Sequence, residues 1–539
     1  MENKVRKVSN AIAALLNEIP RDVPAAPTSP NYSVYLKENM PDHKRLRALR
    51  NRMDERGPLF SLLLFIEGED AFPFTTVLSV LAQTYTDWEL IVADKTDREN
   101  RSSIVHDKRI KYVSGEGSHE IAEKMLKGDY VIRLYPDDRL EADALHLFAD
   151  IAINESADMI YADHDVHDEH GKRLSPFFKP SFSPVTEIAF DYIARPTAVK
   201  RKLHIKAGGF DRNNVHGYNI NCILKAKIVR NISRIILSVK DKPNENFIKD
   251  YKIDRNLRAY QGMFYCSCRV MPNVFKRTSV TVVIGDAYDA NCLRTSLESL
   301  DGISVLYNLR IIIVKGPDMS DTTLKYLDAL KRNRAARIVS AGTVSTVPET
   351  LNFGASCSFS KYLVFMSASV KTVKPDSLFE LIVPLMMKNV AVSGGKLISS
   401  DGTLYNTGFV TGLGGSYASP YEGTPDDKED LKKCFYTAAQ RNVSAVSGLF
   451  MAVKSNDFMN LGMLDETLSD TGWDVEFCLR AIKAGKQVVY TPFAEAELLK
   501  DHPVDNKTFG KEWSDGNKDL YLSPIYDLRF TDLQIKIRS

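Results

Sequence analysis

The sequence predicts an α/β protein made of two tandem domains with mixed, mainly parallel sheets, preceded by a helical N-terminal arm. Three observations predict it. Short β-branched, apolar runs of strand length alternate with amphipathic helical segments, which is the signature of βαβ units. The alternation starts at Pro58 and starts afresh after Lys276-Arg277. The chain of 539 residues is too long for one core, and at ~150 residues per domain it suits two to four units.

In chain order, residues 1–57 form the arm. A short amphipathic helix is expected over Val8 to Ile19, a Pro-rich connector over Pro20 to Pro30, and a charged helix over His43 to Arg56. The basic run Lys44 to Arg52 reads first as a solvated helix face and second as a contact for lipid headgroups or acidic partners. The arm and its connector can also dock another subunit.

The first domain, 58–277, is expected to hold strands at Phe60 to Ile66, Trp88 to Ala93 (ending at Asp94) and Tyr130 to Leu134, with a helix at Phe74 to Gln83. The second, 278–502, has strands at Val280 to Ile284, Leu309 to Val314 and Tyr362 to Met366, with a helix at Leu293 to Leu300. The two series read as one unit written twice. Ser79-Val-Leu-Ala-Gln matches Ser296-Leu-Glu-Ser-Leu, Glu89-Leu-Ile-Val-Ala-Asp94 matches Arg310-Ile-Ile-Ile-Val-Lys315, and Asp129-Tyr-Val-Ile-Arg-Leu134 matches Lys361-Tyr-Leu-Val-Phe-Met366. The tail, 503–539, has no period and ends in the apolar-basic segment Leu533 to Arg538.

Composition narrows the function. A formal charge of +2 supplies no overall drive toward nucleic acid or anionic membrane, and no RNP-type motif is present. Seven cysteines without a CxxC pair read as reduced thiols of a cytoplasmic protein. Met1 to Lys7 lacks the apolar start of a signal peptide, and the longest apolar run, Phe60 to Ile66, is too short to span a bilayer. No GxGxxG follows a first strand, which argues against a dinucleotide-dependent enzyme.

The stretch that carries chemistry is Gly128-Asp-Tyr-Val-Ile-Arg-Leu-Tyr-Pro-Asp-Asp-Arg-Leu140. A strand meets a proline turn, presents Asp137 and Asp138, and enters a helical pattern from Leu140 to Phe148. Carboxylates at the carboxyl end of a strand can hold a divalent cation that in turn holds phosphates. The structural alternative is a capping box of Asp138 with Glu141.

Further motifs join these. The first copy has Leu78-Ser-Val-Leu-Ala-Gln-Thr-Tyr-Thr-Asp-Trp-Glu-Leu-Ile-Val-Ala-Asp94, Asp158-Met-Ile-Tyr-Ala-Asp163, Phe178-Lys-Pro180 and Gly208-Gly-Phe-Asp211. The second has Gly394-Gly-Lys-Leu397, Asp401-Gly-Thr-Leu-Tyr-Asn-Thr-Gly408, Val443-Ser-Ala-Val-Ser-Gly448, Leu464-Asp-Glu466, Trp473-Asp-Val-Glu-Phe-Cys-Leu-Arg480 and Tyr490-Thr-Pro492. Over about residues 58–500 the chain resembles tandem family 2 glycosyltransferases of the GT-A fold, of the kind found in bacterial O-antigen and surface-polysaccharide synthesis.

The resemblance implies a nucleotide-diphospho-sugar donor, Mg²⁺ or Mn²⁺ on an acidic motif, and inversion at the anomeric carbon by a saccharide or lipid-linked acceptor. It also implies a cytoplasmic protein, at most peripheral at the inner membrane. In the first copy it makes Asp94 the grip on the nucleotide base and Asp137 and Asp138 the donor-binding acids, with Asp137 the metal ligand. Tyr135 departs from the leading acid of that motif. Where the family carries its base, this copy reads Asn219-Ile-Asn221; Asp191, Asp211 and His216 are the substitutes in reach of sequence reasoning. The second copy reverses the pattern. Asp474 and Glu476 match the catalytic acids, although two acids opening a helix also match its dipole. Lys315 and Ser367-Ala-Ser369 replace the nucleotide and metal positions. Two functions follow: a glycosyltransferase with its donor site in the first copy, or a catalytically degenerate scaffold or carbohydrate-binding component of a larger assembly.

Overall fold

The computed structural model describes residues 30–51, 57–67, 72–96, 105–210, 215–240, 250–253, 257–264, 267–273, 278–300, 308–317, 319–342, 346–427, 430–468, 471–500 and 519–536. The helix expected over Val8 to Ile19 lies outside them.

The first sheet contains β1 (Phe60–Ile66), β2 (Trp88–Asp94), β3 (Ile110–Ser114), β4 (Tyr130–Leu134), β5 (Arg139–Leu140), β6 (Met159–His167), β7 (Arg173–Phe177), β8 (Thr197–Lys200) and β9 (Val229–Lys240). Their order is β3-β2-β1-β4-β8-β6-β9-β5, with β7 on β6. β1 to β4 pair in parallel, β6 and β9 run with them, and β5, β7 and β8 oppose them. The runs FSLLLFI and WELIVAD are buried along their whole length, as strands covered on both faces must be. Gly128 lets β4 approach β1, since a Cβ there would lie 2.5 Å from the Ser61 backbone nitrogen.

A small antiparallel sheet of β10 (Asp250–Lys252), β11 (Leu257–Gln261) and β12 (Cys268–Pro272) leads into the second unit. That unit contains β13 (Ser279–Ile284), β14 (Asn308–Lys315), β15 (Arg337–Ser340), β16 (Tyr362–Met366), β17 (Val370–Thr372), β18 (Val390–Ile398), β19 (Leu404–Asn406), β20 (Val410–Thr411), β21 (Tyr417–Ala418), β22 (Arg441–Asn442), β23 (Phe450–Lys454) and β24 (Gln487–Leu498). Its sheet runs β15-β14-β13-β16-β23-β18-β24-β17, the first sheet's order strand for strand. The internal repeat read from the sequence is therefore a repeat of topology.

One local expectation fails. Residues 139–140 form β5 and pair with Leu237 and Ser238 of β9, and the helix starts only at Ala144, running to Glu155. Asp138 does not cap it. Its carboxylate turns back to accept the Tyr135 N–H at 2.9 Å, so the capping box with Glu141 does not form. Edge pairing to a distant strand outcompetes the local helical pattern here.

Each copy has its own core, and a further core joins them. It gathers Tyr32 and Tyr35 from the arm helix Pro30–Asn39, Tyr161, Phe178, Phe190 and Tyr192 from the first copy, Phe435 and Tyr436 from the second, and Leu522, Tyr526, Leu533 and Ile535 from the tail. Phe190 packs on Phe435 at 5.3 Å and Phe178 on Tyr526 at 5.8 Å between ring centroids. Hydrogen bonds cross the same seam: Val185 N–H donates to Asn442 Oδ1 at 3.0 Å, and Asn442 N–H to Thr186 Oγ1 at 2.9 Å. The arm's tyrosines are thus used inside this chain. Its second helix, His43–Arg50, buries no residue, as a solvated basic face does. The described part of the aperiodic tail, 519–536, inserts single side chains and forms no helix or strand, so no period marks it.

Arg269 on β12 ties the small sheet to the second copy, donating to Glu380 (Nε, 3.1 Å) and to Asp376 (3.0 Å). Among the described residues no helix is long and apolar enough to cross a membrane, and Cys222, Cys268, Cys292, Cys357, Cys434 and Cys478 are free thiols.

Candidate functional site

At the carboxyl edge of the first sheet, β2 ends on Asp94, buried in an Asx-type turn. Its Oδ1 accepts from the Thr96 N–H at 2.9 Å and the Thr96 hydroxyl at 2.7 Å. β4 ends one strand beyond β1, which puts its following loop on the same edge, roughly 10 Å from β2 at the usual strand spacing. Asp94, Asp137 and Asp138 are therefore brought to one edge.

The electrostatics there differ from those of a metal motif. Asp137 has a left-handed backbone (φ 72°) and its carboxylate faces Lys240 at 3.6 Å. Asp138 is buried against the Arg195 guanidinium at 3.1 Å; burial pushes its pKa up to about 6, opposed by Arg195 and the Tyr135 N–H. Tyr135, in the place of the leading acid, meets two guanidinium groups, Arg133 at 4.4 Å and Arg195 at 4.3 Å from its ring centroid. Arg133 is 8% exposed, and its Nε and Nη1 have no hydrogen-bond partner among the described residues. Two carboxylates thus face Arg133, Arg195 and Lys240. These basic side chains offset the carboxylates that a divalent cation would need, and their free donors suit an anion.

Asn219 sits on the helix Val215–Lys225 and donates through Nδ2 to Asp191 Oδ1 at 3.0 Å and to the Ala194 carbonyl at 3.3 Å. Asp191 is 9% exposed and also accepts the Ala194 N–H at 3.2 Å. Below it lies Glu187, whose carboxyl is held well above the usual range by burial and then by the neighbouring Asp191. Glu187, Asp191 and His216 bring one ligand-capable atom each within 4.8 Å of one another, the acidic group of the described residues nearest to a cation's geometry. Lys179, fully buried, donates to the carbonyls of Ile193 (2.7 Å) and Arg195 (2.9 Å) and so fixes the loop carrying both Asp191 and Arg195. Asp211 lies outside the described residues.

A pH test follows from Glu187. Its folded pKa is raised, so its contribution to stability is fully present below the unfolded value near 4.5 and is lost as pH rises toward the folded pKa. Glu187→Gln keeps the shape without the charge. Its melting temperature relative to the parent chain is expected to climb between pH 5 and pH 8, as read by thermal denaturation; a constant or falling difference would show that Glu187 ionises normally.

In the second copy, Asp474 and Glu476 open the helix Trp473–Lys483. Asp474 accepts the N–H groups of Gly448 (2.8 Å) and Val475 (2.9 Å), while burial pushes its pKa up. Glu476 is closed by Arg480 at 2.6 and 2.8 Å. Beside it opens a cavity of about 570 Å³ lined by Asn352, Leu464, Glu466, Glu476 and Arg480. The loop matching Asp137 and Asp138 is shut from within: Asp286 accepts from the Ser367 hydroxyl (2.5 Å) and the Ala368 N–H (2.8 Å). Lys315 ends β14 exposed to solvent.

Arg133 and Arg195 escaped sequence reasoning. A charged residue inside the apolar run Tyr130 to Leu134 was the available signal for the first, because arginine is rarely buried without a partner.

No family model matches the chain. An uncharacterized protein, y4gI, of Sinorhizobium fredii (strain NBRC 101917 / NGR234) is 25% identical over 499 residues, 84% of this chain and 55% of that protein. The O-antigen biosynthesis protein RfbC of Myxococcus xanthus is 23% identical over 533 residues, 89% of this chain and 41% of that protein. This chain resembles an O-antigen biosynthesis protein. It spans about half the length of the curated relatives it matches. Among solved structures, S. aureus TarS 1–349 in complex with UDP-GlcNAc aligns with 35% of this chain and 60% of its own (14% identity, TM-score 0.30). GalNAc-T7 with UDP, GalNAc and Mn²⁺ aligns with 44% of this chain and 46% of its own (12% identity, TM-score 0.33). The mannosyltransferase PcManGT from Pyrobaculum calidifontis, in complex with GDP-Man and Mn²⁺, aligns with 42% of this chain and 59% of its own (13% identity, TM-score 0.31).

Proposed function

We propose that this chain is an inverting, nucleotide-sugar-dependent glycosyltransferase of bacterial surface-polysaccharide or glycoconjugate synthesis, with its donor site in the first copy. The observation that carries this reading is Arg133, a nearly buried guanidinium with open donors against Tyr135, at the sheet edge that also holds Asp94. A buried guanidinium whose donors lack hydrogen-bond partners among the described residues is costly unless an anion completes it. In this reading Asp94 grips the nucleotide base, and Arg133 and Arg195 meet the diphosphate in place of a metal ion. The likeness to an O-antigen biosynthesis protein supports the polysaccharide context. We divide the chain at 57/58, 277/278 and 502/503. The acceptor is a saccharide or lipid-linked saccharide met at the cytoplasmic face, and Asp474 and Glu476 of the second copy stand on its side.

The degenerate-scaffold reading draws on the second copy, where Asp286 fills the loop and Arg480 closes Glu476. Calorimetry separates the two. UDP-glucose, UDP-N-acetylglucosamine, GDP-mannose and dTDP-rhamnose are titrated into the chain in EDTA and again in Mn²⁺. One of them is expected to bind below millimolar concentration, with affinity changing less than about twofold between the two buffers, since fixed guanidinium groups need no metal. No binding at millimolar concentration would leave the scaffold reading standing, and binding only with Mn²⁺ would remove the arginines from the diphosphate.

A further inference from the structure

We infer that Asp191 supplies the general-base carboxylate that the first copy lacks at Asn219, an assignment that rests on the donor site proposed above. The chain departs from the glycosyltransferase pattern by carrying an amide where a carboxylate should stand. The structure shows that amide hydrogen-bonded to a carboxylate: Asn219 Nδ2 donates to Asp191 Oδ1 at 3.0 Å. A carboxylate and an amide have nearly the same outline. The site therefore keeps one carboxylate and one amide side by side, with the acid on the loop after the helix Pro184–Ala189 and the amide on the helix Val215–Lys225.

Three features make Asp191 more than a turn residue. Its loop is fixed from beneath, by the Lys179 ammonium on the Ile193 and Arg195 carbonyls and by the Ile193 N–H donating to Glu187 Oε2 at 3.0 Å. The same loop carries Arg195, which reaches Asp138 at 3.1 Å and lies on the Tyr135 ring, so base and diphosphate side are set by one rigid segment. Arg133 also lies on the Tyr135 ring, nine-tenths buried with Nε and Nη1 unpartnered among the described residues, an independent mark of an anionic ligand next to this loop.

In the step this arrangement supports, Asp191 accepts the proton of the acceptor hydroxyl as that oxygen bonds to the anomeric carbon. The bond from that carbon to the diphosphate oxygen breaks, and its electron pair leaves with the nucleoside diphosphate, whose charge Arg133 and Arg195 meet. The proton on Asp191 then passes to solvent. Asn219 holds the carboxylate in place and acts as a positioning residue.

The test is a swap, read as nucleotide release by hydrolysis of the same four sugar nucleotides, with donor affinity measured in parallel by calorimetry. Asp191→Asn is expected to lower turnover by at least about 100-fold, in the range of a removed general base, with donor affinity within about twofold of the parent. Asp191→Asn combined with Asn219→Asp rebuilds the amide–carboxylate pair in reverse and is expected to recover at least tenfold over the single variant. A purely structural role would not produce that recovery. Turnover within threefold of the parent in folded Asp191→Asn overturns the assignment. If the single variant does not fold, the double variant decides, and a folded but inactive double variant overturns it. A parent chain that binds a donor yet releases no nucleotide overturns this assignment and leaves donor binding standing; a parent chain that binds none overturns the proposed function and this assignment together.

Discussion

Replacing Arg133 with methionine is expected to weaken sugar-nucleotide binding by roughly 30-fold while the melting temperature stays level or rises. The two effects separate because they have different causes. Hydrogen bonds from a charged donor to a charged acceptor contribute about 2 kcal/mol, or roughly 30-fold in affinity. To the fold alone the same guanidinium is a liability: it is 8% exposed, lies against Phe65, Tyr135 and Phe210, and has Nε and Nη1 without a partner among the described residues. Exchanging a poorly compensated buried charge for an apolar side chain of similar length is neutral or stabilising by about 1–4 kcal/mol. Calorimetry and thermal melting on one preparation read both. Unchanged affinity would remove Arg133 from the donor site; a loss of stability in step with affinity would make it structural. Arg195→Met is the contrasting change, since it leaves buried Asp138 without its cation and lowers stability as well.

Arg269→Ala is expected to destabilise the chain by about 3–5 kcal/mol, the range for removing one partner of a buried ion pair. Glu380 is 1% exposed, and Arg269 supplies its cation while also bonding Asp376 and lying over the Phe493 ring at 5.3 Å. Removing the arginine strands a carboxylate inside the second copy and frees the small β10–β12 sheet from it. Arg269→Met with Glu380→Met removes both charges together and is expected to recover most of the loss. Urea denaturation of the two variants checks this; a single substitution costing less than about 1 kcal/mol would mean that water reaches Glu380.

The elements legible in the sequence were those whose burial is periodic and local. β1, β2 and β4 are largely apolar runs because both faces of the sheet are buried, and their recurrence as β13, β14 and β16 makes the duplication legible from the sequence alone. Asp94, Asp137 and Asp138 were legible as the polar ends of such runs. What escaped depends on contacts remote in sequence. β5 exists because residues 139–140 find 237–238, and no local signal competes with the helical pattern that follows. The partnership of Asp191 with Asn219 crosses 28 residues and two elements. The charge surrounding Asp137 and Asp138 comes from Lys240, Arg195 and Arg133, of which only Arg133 lies in the motif. A carboxylate motif can be read from a linear sequence; the cations that cancel it cannot.

The core joining the arm, both copies and the tail has an evolutionary consequence. A duplicated domain that keeps its own closed surface is dispensable once its chemistry lapses, and deletion follows. Here the second copy contributes Phe435 and Tyr436 to the aromatic packing that encloses Phe190 and Tyr192 of the first, and Asn442 accepts the Val185 N–H and donates its own N–H to the Thr186 hydroxyl across the seam. Selection on the first copy's fold is thereby selection on the second copy's presence. The walls of the second copy are thereby tied to the first, whichever residues stand at Lys315 and Ser367.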